Sequence, residues 1–343
     1  MPDHIYSLSP VVFRLFFLFL VLVLLCIWGW SSMIRMPGKS YNGTLSPLSA
    51  KEMDLSTTLR SDVKMLAGQI GVRNLYRLHS LAQAADFIEG RFKESGYTVR
   101  RETFACEEKP CRNLIVEVRG AQRPEEIILI GAHYDSADDS PGANDNGTGV
   151  AALLALAQAF SKEKPARTLR FVAFTNEEPP FFKSDCMGSR VHAKRCREGH
   201  ENIVAMFSLE TMGYYSDARS TQIYPPPMSL FYPSTGNFIA FVGNLSCRGF
   251  LREVIASFRR NALFPSEGAA LPSWIPGVDW SDHWSFWKEG YPAVMITDTA
   301  PFRYPEYHSI SDTPDKIDYD RLARVVVGLE KVIRELVNIP NSI

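Results

Sequence analysis

From Ile127 onward, runs of largely apolar residues end abruptly in polar or glycine positions. Ile127 to Ile130 stops at Gly131 and leads into His133 and Asp135. Thr168 to Phe174 ends in Thr175-Asn176-Glu177-Glu178, Val204 to Leu209 ends in Glu210, and Tyr291 to Ile296 follows further on. Short apolar runs without alternation read as strands buried on both faces. Between them Val150 to Phe160, Ser246 to Asn261 and Arg321 to Val337 read as helices. Upstream, Leu59, Val63, Leu66 and Ile70 predict a helix over Ser56–Ile70, and Leu81, Ala84, Ala85, Ile88 and Phe92 a second over Ser80–Ser95, ended by Gly96. Tyr97 to Phe104 alternates as a strand, with Arg112 to Val118 as its hairpin partner. This alternation of elements predicts an α/β fold. The expected form is a three-layer sandwich, with a mostly parallel or mixed twisted sheet and helices on both faces.

Val11 to Trp30 departs from the pattern, with Arg14 as its only charge over twenty residues. As a helix rising 1.5 Å per residue it spans about 30 Å, one hydrocarbon core. Trp28 and Trp30 suit an interfacial belt. No small-x-small site precedes the hydrophilic stretch, so a retained transmembrane helix is preferred to a cleaved signal peptide. Met36 to Leu48 reads as a linker. The chain divides accordingly into a membrane anchor and linker, 1–40, and a folded domain, 41–343. Tyr214 to Thr235 and Phe264 to Asp282 read as long loops over the rim of that domain.

Composition narrows the function. A formal net charge of −1 with no basic block argues against nucleic acid as a partner. Six cysteines contain no CxxC pair, so a cysteine zinc site is not expected. Cys106 and Cys111 are close enough in sequence to close a small loop, which would fit an oxidising compartment. Cys186, Cys196 and Cys247 read equally well as free or buried thiols. His79, His192 and His200 lie in polar stretches and read as surface.

In open α/β sheets ligands bind beyond the carboxyl ends of strands, where loops run into helix N-termini. His133 follows one such strand, and Asp145 lies in the Gly/Asn-rich turn that opens the Val150 helix. Imidazole nitrogen and carboxylate oxygen are zinc ligands. Asp135 is placed to hold the other ring nitrogen of His133. Near the C-terminus Tyr307-His308-Ser309 precedes Asp312-Thr313-Pro314-Asp315.

The order His133-Tyr134-Asp135, then Gly142 to Gly149 (GANDNGTG), then Asn176-Glu177-Glu178, then Ser208-Leu209-Glu210, then Tyr307-His308-Ser309 resembles the co-catalytic zinc aminopeptidases of the M28 family, clan MH. The likeness runs over most of the chain from about residue 55. It implies two zinc ions bridged by Asp145, with His133 and Glu210 completing one site and Glu178 and His308 the other. Glu177 then remains as general base, facing away from its neighbour on an extended segment. Some members carry Asp where this chain has Glu210. The resemblance also implies a cis peptide between Asp145 and Asn146. Asn146, Asp282, His283 and Tyr214 join Asp135 as supporting or pocket-lining candidates. Tyr215, Trp280, Trp284 and Phe302 read as pocket wall rather than core. The expected protein is a membrane-anchored, extracytoplasmic (periplasmic or extracellular) di-zinc aminopeptidase acting on peptides with a free N-terminus. The alternatives are a single-zinc, glutaminyl-cyclase-like acyltransferase and a non-catalytic, receptor-like member of the fold.

Overall fold

The computed structural model describes residues 10–338. After the N-terminal helix α1 (Pro10–Gly29) come α2 (Ala50–Val63), α3 (Leu78–Glu94), β1 (Arg100–Cys106), β2 (Lys109–Val118), β3 (Arg123–His133), α4 (Gly149–Phe160), β4 (Arg167–Phe174), α5 (Gly188–Glu198), β5 (Asn202–Glu210), β6 (Ile239–Gly243), α6 (Arg248–Asn261), β7 (Ser266–Ala270), α7 (His283–Lys288), β8 (Ala293–Thr297) and α8 (Tyr319–Val337). The eight strands form one mixed sheet in the order β1-β2-β4-β3-β5-β8-β6-β7. Its centre, β4-β3-β5-β8, is parallel, so four carboxyl ends meet at one rim. β1 and β2 join on the β4 side and β6 on the β8 side by antiparallel pairing.

The largely apolar runs follow from burial on both faces. In β3, Ile128, Ile130 and Ala132 pack with α2, α3, α4, α6 and α8, while Ile127 and Leu129 pack with α5 and α7. The result is the expected three-layer α/β sandwich. Residues Val11–Ile34 form a 24-residue apolar span with none of its most apolar window buried in the domain. Its length and composition suffice to cross a membrane.

Four features differ from the sequence reading. First, α2 starts at Ala50 rather than Ser56, because Ser49 and Glu52 make a reciprocal capping box there. Of the apolar stripe that predicted this helix, Leu59 and Val63 lie in its second half, and Leu66 and Ile70 in the wider helical turn Lys64–Ile70 that follows. Second, Ser266 to Ala270, read as loop, is the edge strand β7. Its small residues carry no strand pattern of their own; the hydrogen bonds offered by β6 create it. A Cβ at Gly268 would lie 2.7 Å from Ile255 and 2.8 Å from Met36, so only glycine lets both close over the strand. Third, Cys106 pairs with Cys186, at a Cα–Cα separation of 5.3 Å, and Cys111 is a free buried thiol. Within the hairpin Cys111 faces Phe104 and Cys106 faces Lys109. The two cysteines are thus diagonal neighbours, roughly 7–8 Å apart in a sheet and beyond disulfide reach. Fourth, His192 is 1% exposed rather than at the surface, whereas His79 and His200 are exposed as expected.

Candidate metal centre and active site

Each side chain of the candidate centre reaches the rim from a different element. His133 is the last residue of β3 and Glu210 the last of β5. Glu177 and Glu178 follow β4 across Asn176, whose φ of 58° turns the chain back over the rim. Asp145 stands in the turn that opens α4, and His308 in the loop before α8.

That turn is held from several sides. The Asp312 carboxylate accepts the backbone N–H groups of Asn144 at 2.8 Å and Asp145 at 3.1 Å. The wholly buried Arg73 donates to the carbonyls of Tyr134 and Gly142, each at 2.7 Å, and to that of Pro141. Asn146 donates to the Leu209 carbonyl at 2.8 Å and accepts from the Thr211 N–H at 3.1 Å. It therefore grips both neighbours of Glu210. The Asp145–Asn146 peptide is cis, as the resemblance implies.

These supports aim nitrogen and oxygen atoms at one another without pairing them. His133 Nε2 lies 3.3 Å from Asp145 Oδ1 and 3.3 Å from Glu210 Oε2. His308 Nε2 lies 3.1 Å from Asp145 Oδ2 and 3.2 Å from Glu178 Oε2. The two oxygens of Asp145 thus face two different imidazoles. Glu177 Oε2 is further off, 3.9 Å from His133 Nε2. Both ring nitrogens of His133, Asp145 Oδ1, Glu178 Oε1 and His308 Nε2 are buried without a hydrogen-bond partner. Orphaned buried polar atoms are rare and costly. Three sets of potential ligands converge within 4.8 Å: His133/Asp145/Glu210, His133/Glu177/Glu178 and Asp145/Glu178/His308.

The charge balance points the same way. Burial, with the Asp145 charge behind it, pushes Glu178 up to about 8. Burial likewise raises Glu177 and Glu210. Burial works against the charge on His308, but the facing carboxylates of Asp145 and Glu178 outweigh it and hold the imidazole up to about 11. The nest has an excess of anionic groups and too little positive charge. A divalent cation corrects that deficit, and its N/O donor set suits zinc.

The remaining expected residues lie at different distances from the centre. Asp135 sits 3.6 Å from His133 Nδ1, long for a hydrogen bond. Its oxygens instead accept the N–H groups of Glu177 and Glu178, each at 3.1 Å, which fixes the Glu-Glu segment. Asp282 is fully buried with both oxygens unpaired, and burial raises it to about 7. His283 points away, its Nε2 2.8 Å from the Val278 carbonyl and its ring edge-on to Trp287. Tyr214 packs tilted against Tyr304, ring centroids 4.7 Å apart, and is not part of the pocket wall. Tyr215 packs in the core against Phe264, and Trp284 lies beside Lys183 and Lys288. Trp280 and Phe302 do line a pocket, stacked at 6.1 Å.

That pocket opens beside Glu210 and holds about 840 Å³ including its mouth. Its walls are apolar, from the two long loops and the faces of β6, β7 and β8. Tyr307 stands between pocket and centre, stacked on the His308 ring at 3.8 Å. The sequence reading assigned nothing to Tyr307, Arg73 or Asp298. Tyr307 adjoins a motif histidine, a signal that was available. Arg73, and Asp298, which accepts from the Asn144 side chain at 2.9 Å, carry no local signal, since their partners lie far away in sequence.

With the geometry in view, comparison with other proteins is informative. The profile of peptidase family M28 matches residues 113–332, more than half of the chain. The chain is similar to YfbL of Escherichia coli K12, at 38% identity over 280 residues, covering 79% of this chain and 85% of that one. Its fold is similar to a zinc aminopeptidase from Bacillus subtilis, with a TM-score of 0.64 at 14% identity, covering 84% and 96% of the two chains. It is also similar to a glutaminyl cyclase from Fimbriiglobus ruber, with a TM-score of 0.60 at 20% identity, covering 86% and 97%. This chain belongs to peptidase family M28 and is a zinc-dependent peptidase.

Proposed function

We propose that the protein is a di-zinc aminopeptidase, anchored in a membrane by α1, with residues 41–343 as its catalytic domain. The observation that carries this reading is Asp145, whose oxygens face His133 on one side and His308 on the other. A single-metal site has no use for that arrangement. His133, Asp145 and Glu210 would hold one zinc, and Asp145, Glu178 and His308 the second. Zinc, when bound, supplies Lewis acidity toward water and a peptide carbonyl. Glu177 is the acid outside both sets. Its Oε2 takes the proton of the attacking water and returns it to the leaving amine. Burial, which raises Glu177, suits both roles. The Glu177 and Glu178 backbone bonds to Asp135 keep that carboxylate from drifting.

The choice of substrate end rests on charge. The rim is rich in acids that can hold an ammonium. The two cations nearest the site motifs in sequence are committed elsewhere, as is Arg73 under the Asp145 turn. Lys183 pairs with Asp279 at 2.6 Å, and Arg303 donates to Gln222 at 2.7 Å and to the Phe238 carbonyl at 2.8 Å. Lys183 is spent on that pair, and Arg303 is buried with only Nη2 unpartnered, so neither presents the open two-pronged fork by which an arginine grips a C-terminal carboxylate. The apolar pocket beside Glu210 takes the side chain of an apolar residue. The Cys106–Cys186 disulfide supports an oxidising, extracytoplasmic location for the domain.

Paired free and N-acetylated peptides test this reading. Acetylation should lower kcat/KM by at least about tenfold, roughly 1.4 kcal/mol. Equal cleavage of both, or release of C-terminal residues first, overturns the aminopeptidase assignment and leaves the zinc peptidase intact. Full activity with one zinc equivalent per chain would favour the cyclase-like alternative.

A further inference from the structure

α1 does not simply trail from the domain. The turn that ends it, Trp30–Ile34, lies against β7. Met33 and Ile34 pack into an apolar cluster with Met228, Leu271 and Val278, which the partly buried Tyr224, Tyr232 and Ile275 complete. Met36 is buried over Gly268, and the Ser40 hydroxyl accepts the Ser266 N–H at 2.9 Å. Arg252 of α6 donates to the Arg35 carbonyl at 2.5 Å, and Arg259 to that of Pro37 at 3.1 Å. The helix end is thus fixed to the free edge of the sheet, and its orientation to the domain is set by packing.

The loops that meet it carry large apolar side chains that point outward. Leu230 is 78% exposed, Trp274 79% and Ile223 64%. Phe231 beside them is partly exposed. They adjoin Met228, Tyr232 and Ile275, residues of the cluster that packs on the helix end. Trp28 and Trp30, the tryptophans suited to a bilayer interface, lie at that same end of the span. Exposed apolar groups gathered on one side of a soluble domain mark a contact surface. Here they flank the cluster on which the end of α1 packs.

We propose that Leu230, Phe231 and Trp274 rest in the bilayer surface beside the anchor, so that the two loops walling the apolar pocket are lipid-seated. The partner is the lipid interface itself. Arg35 and Arg252, at the exit of the helix, suit anionic headgroups. The proposal rests on α1 being a retained anchor. It is independent of the catalytic assignment.

The test uses the full chain in nanodiscs made with lipids brominated near the glycerol end, which quench tryptophan only on contact. Subtracting the spectrum of Trp274→Phe from that of the unaltered chain isolates Trp274. The expected difference spectrum is blue-shifted and at least about twofold quenched relative to nanodiscs of unbrominated lipid. A red-shifted, unquenched Trp274 overturns the proposal. So does a blue-shifted but unquenched one, which would mean that a protein, such as a second copy of this chain, covers the patch. Trp28 and Trp30 serve as the internal reference. Quenching that survives in Trp274→Phe shows the anchor in place, and its absence overturns the anchor reading instead. As a second measurement, Leu230→Asp with Phe231→Asp should speed hydrogen exchange of residues 228–232 in nanodiscs by at least about tenfold. Unchanged exchange counts against the lipid contact.

Discussion

Two buried clusters in this molecule are built from the same kinds of residue and differ in one respect. At the rim, His133 and His308 face Asp145, Glu178 and Glu210, and most of the facing atoms are unpaired. Between β1, β4 and α5, His192 meets Glu102 at 3.0 Å, and Asn113 donates to the same carboxylate at 2.8 Å. Arg170 alongside is held by Glu201 at 2.5 and 3.0 Å and by Glu117 at 2.5 Å. Cys196 lies 3.5 Å from His192 Nε2, which gives the group the outline of a Cys-His-Glu constellation. Burial, however, drives the thiol far above its usual range, which works against a thiolate nucleophile. In this second cluster every carboxylate has a donor. Residue type and burial do not separate a structural polar core from a reactive one; the hydrogen-bond account does.

The largest break in this symmetry should come from Glu177. Glu177→Gln keeps size and loses basicity, so turnover should fall by about 10²–10⁴-fold with zinc content unchanged. Elemental analysis alongside kinetics checks this. Released zinc, or near-normal turnover, would reassign Glu177 from base to ligand or bystander.

Metal removal should separate the clusters next. Chelation should unbalance only the rim. It should lower stability by about 2.7 kcal/mol relative to protein with free zinc at 100 times its Kd. Glu178→Gln should reduce zinc content toward one equivalent and shrink that chelator effect. A melting temperature indifferent to chelator would mean that the unpaired rim atoms are satisfied in some other way.

The smallest effect is expected at the satisfied cluster. Glu102→Gln should cost about 1–3 kcal/mol in denaturant unfolding and leave zinc content and kcat alone. Burial works against the Glu102 charge, but His192 and Asn113 outweigh it and hold the carboxyl down at about 2. A depressed carboxyl contributes stability above its unfolded value of 4.5 and loses it as pH falls toward about 2. The gap between the two proteins should therefore narrow over that window. Loss of zinc in Glu102→Gln would show that the clusters are coupled.

Sequence by itself determined the parallel centre of the sheet, because a strand buried on both faces must be almost wholly apolar, as Ile127 to Ile130 are, and as Leu169 to Phe174 are but for the ion-paired Arg170. It determined the family too, through motifs most of which sit at a strand end or helix start. Local spacing could not choose the cysteine partner, since Cys186 reaches Cys106 across 80 residues while the nearer Cys111 lies on the wrong diagonal of the hairpin. Nor could it make Ser266–Ala270 a strand, bury His192, or bring Arg73 and Asp312 under the Asp145 turn. Those outcomes depend on hydrogen bonds and contacts between segments far apart in the chain. A residue's own pattern reports how its element meets the core, but its polar partners exist only once the elements have assembled.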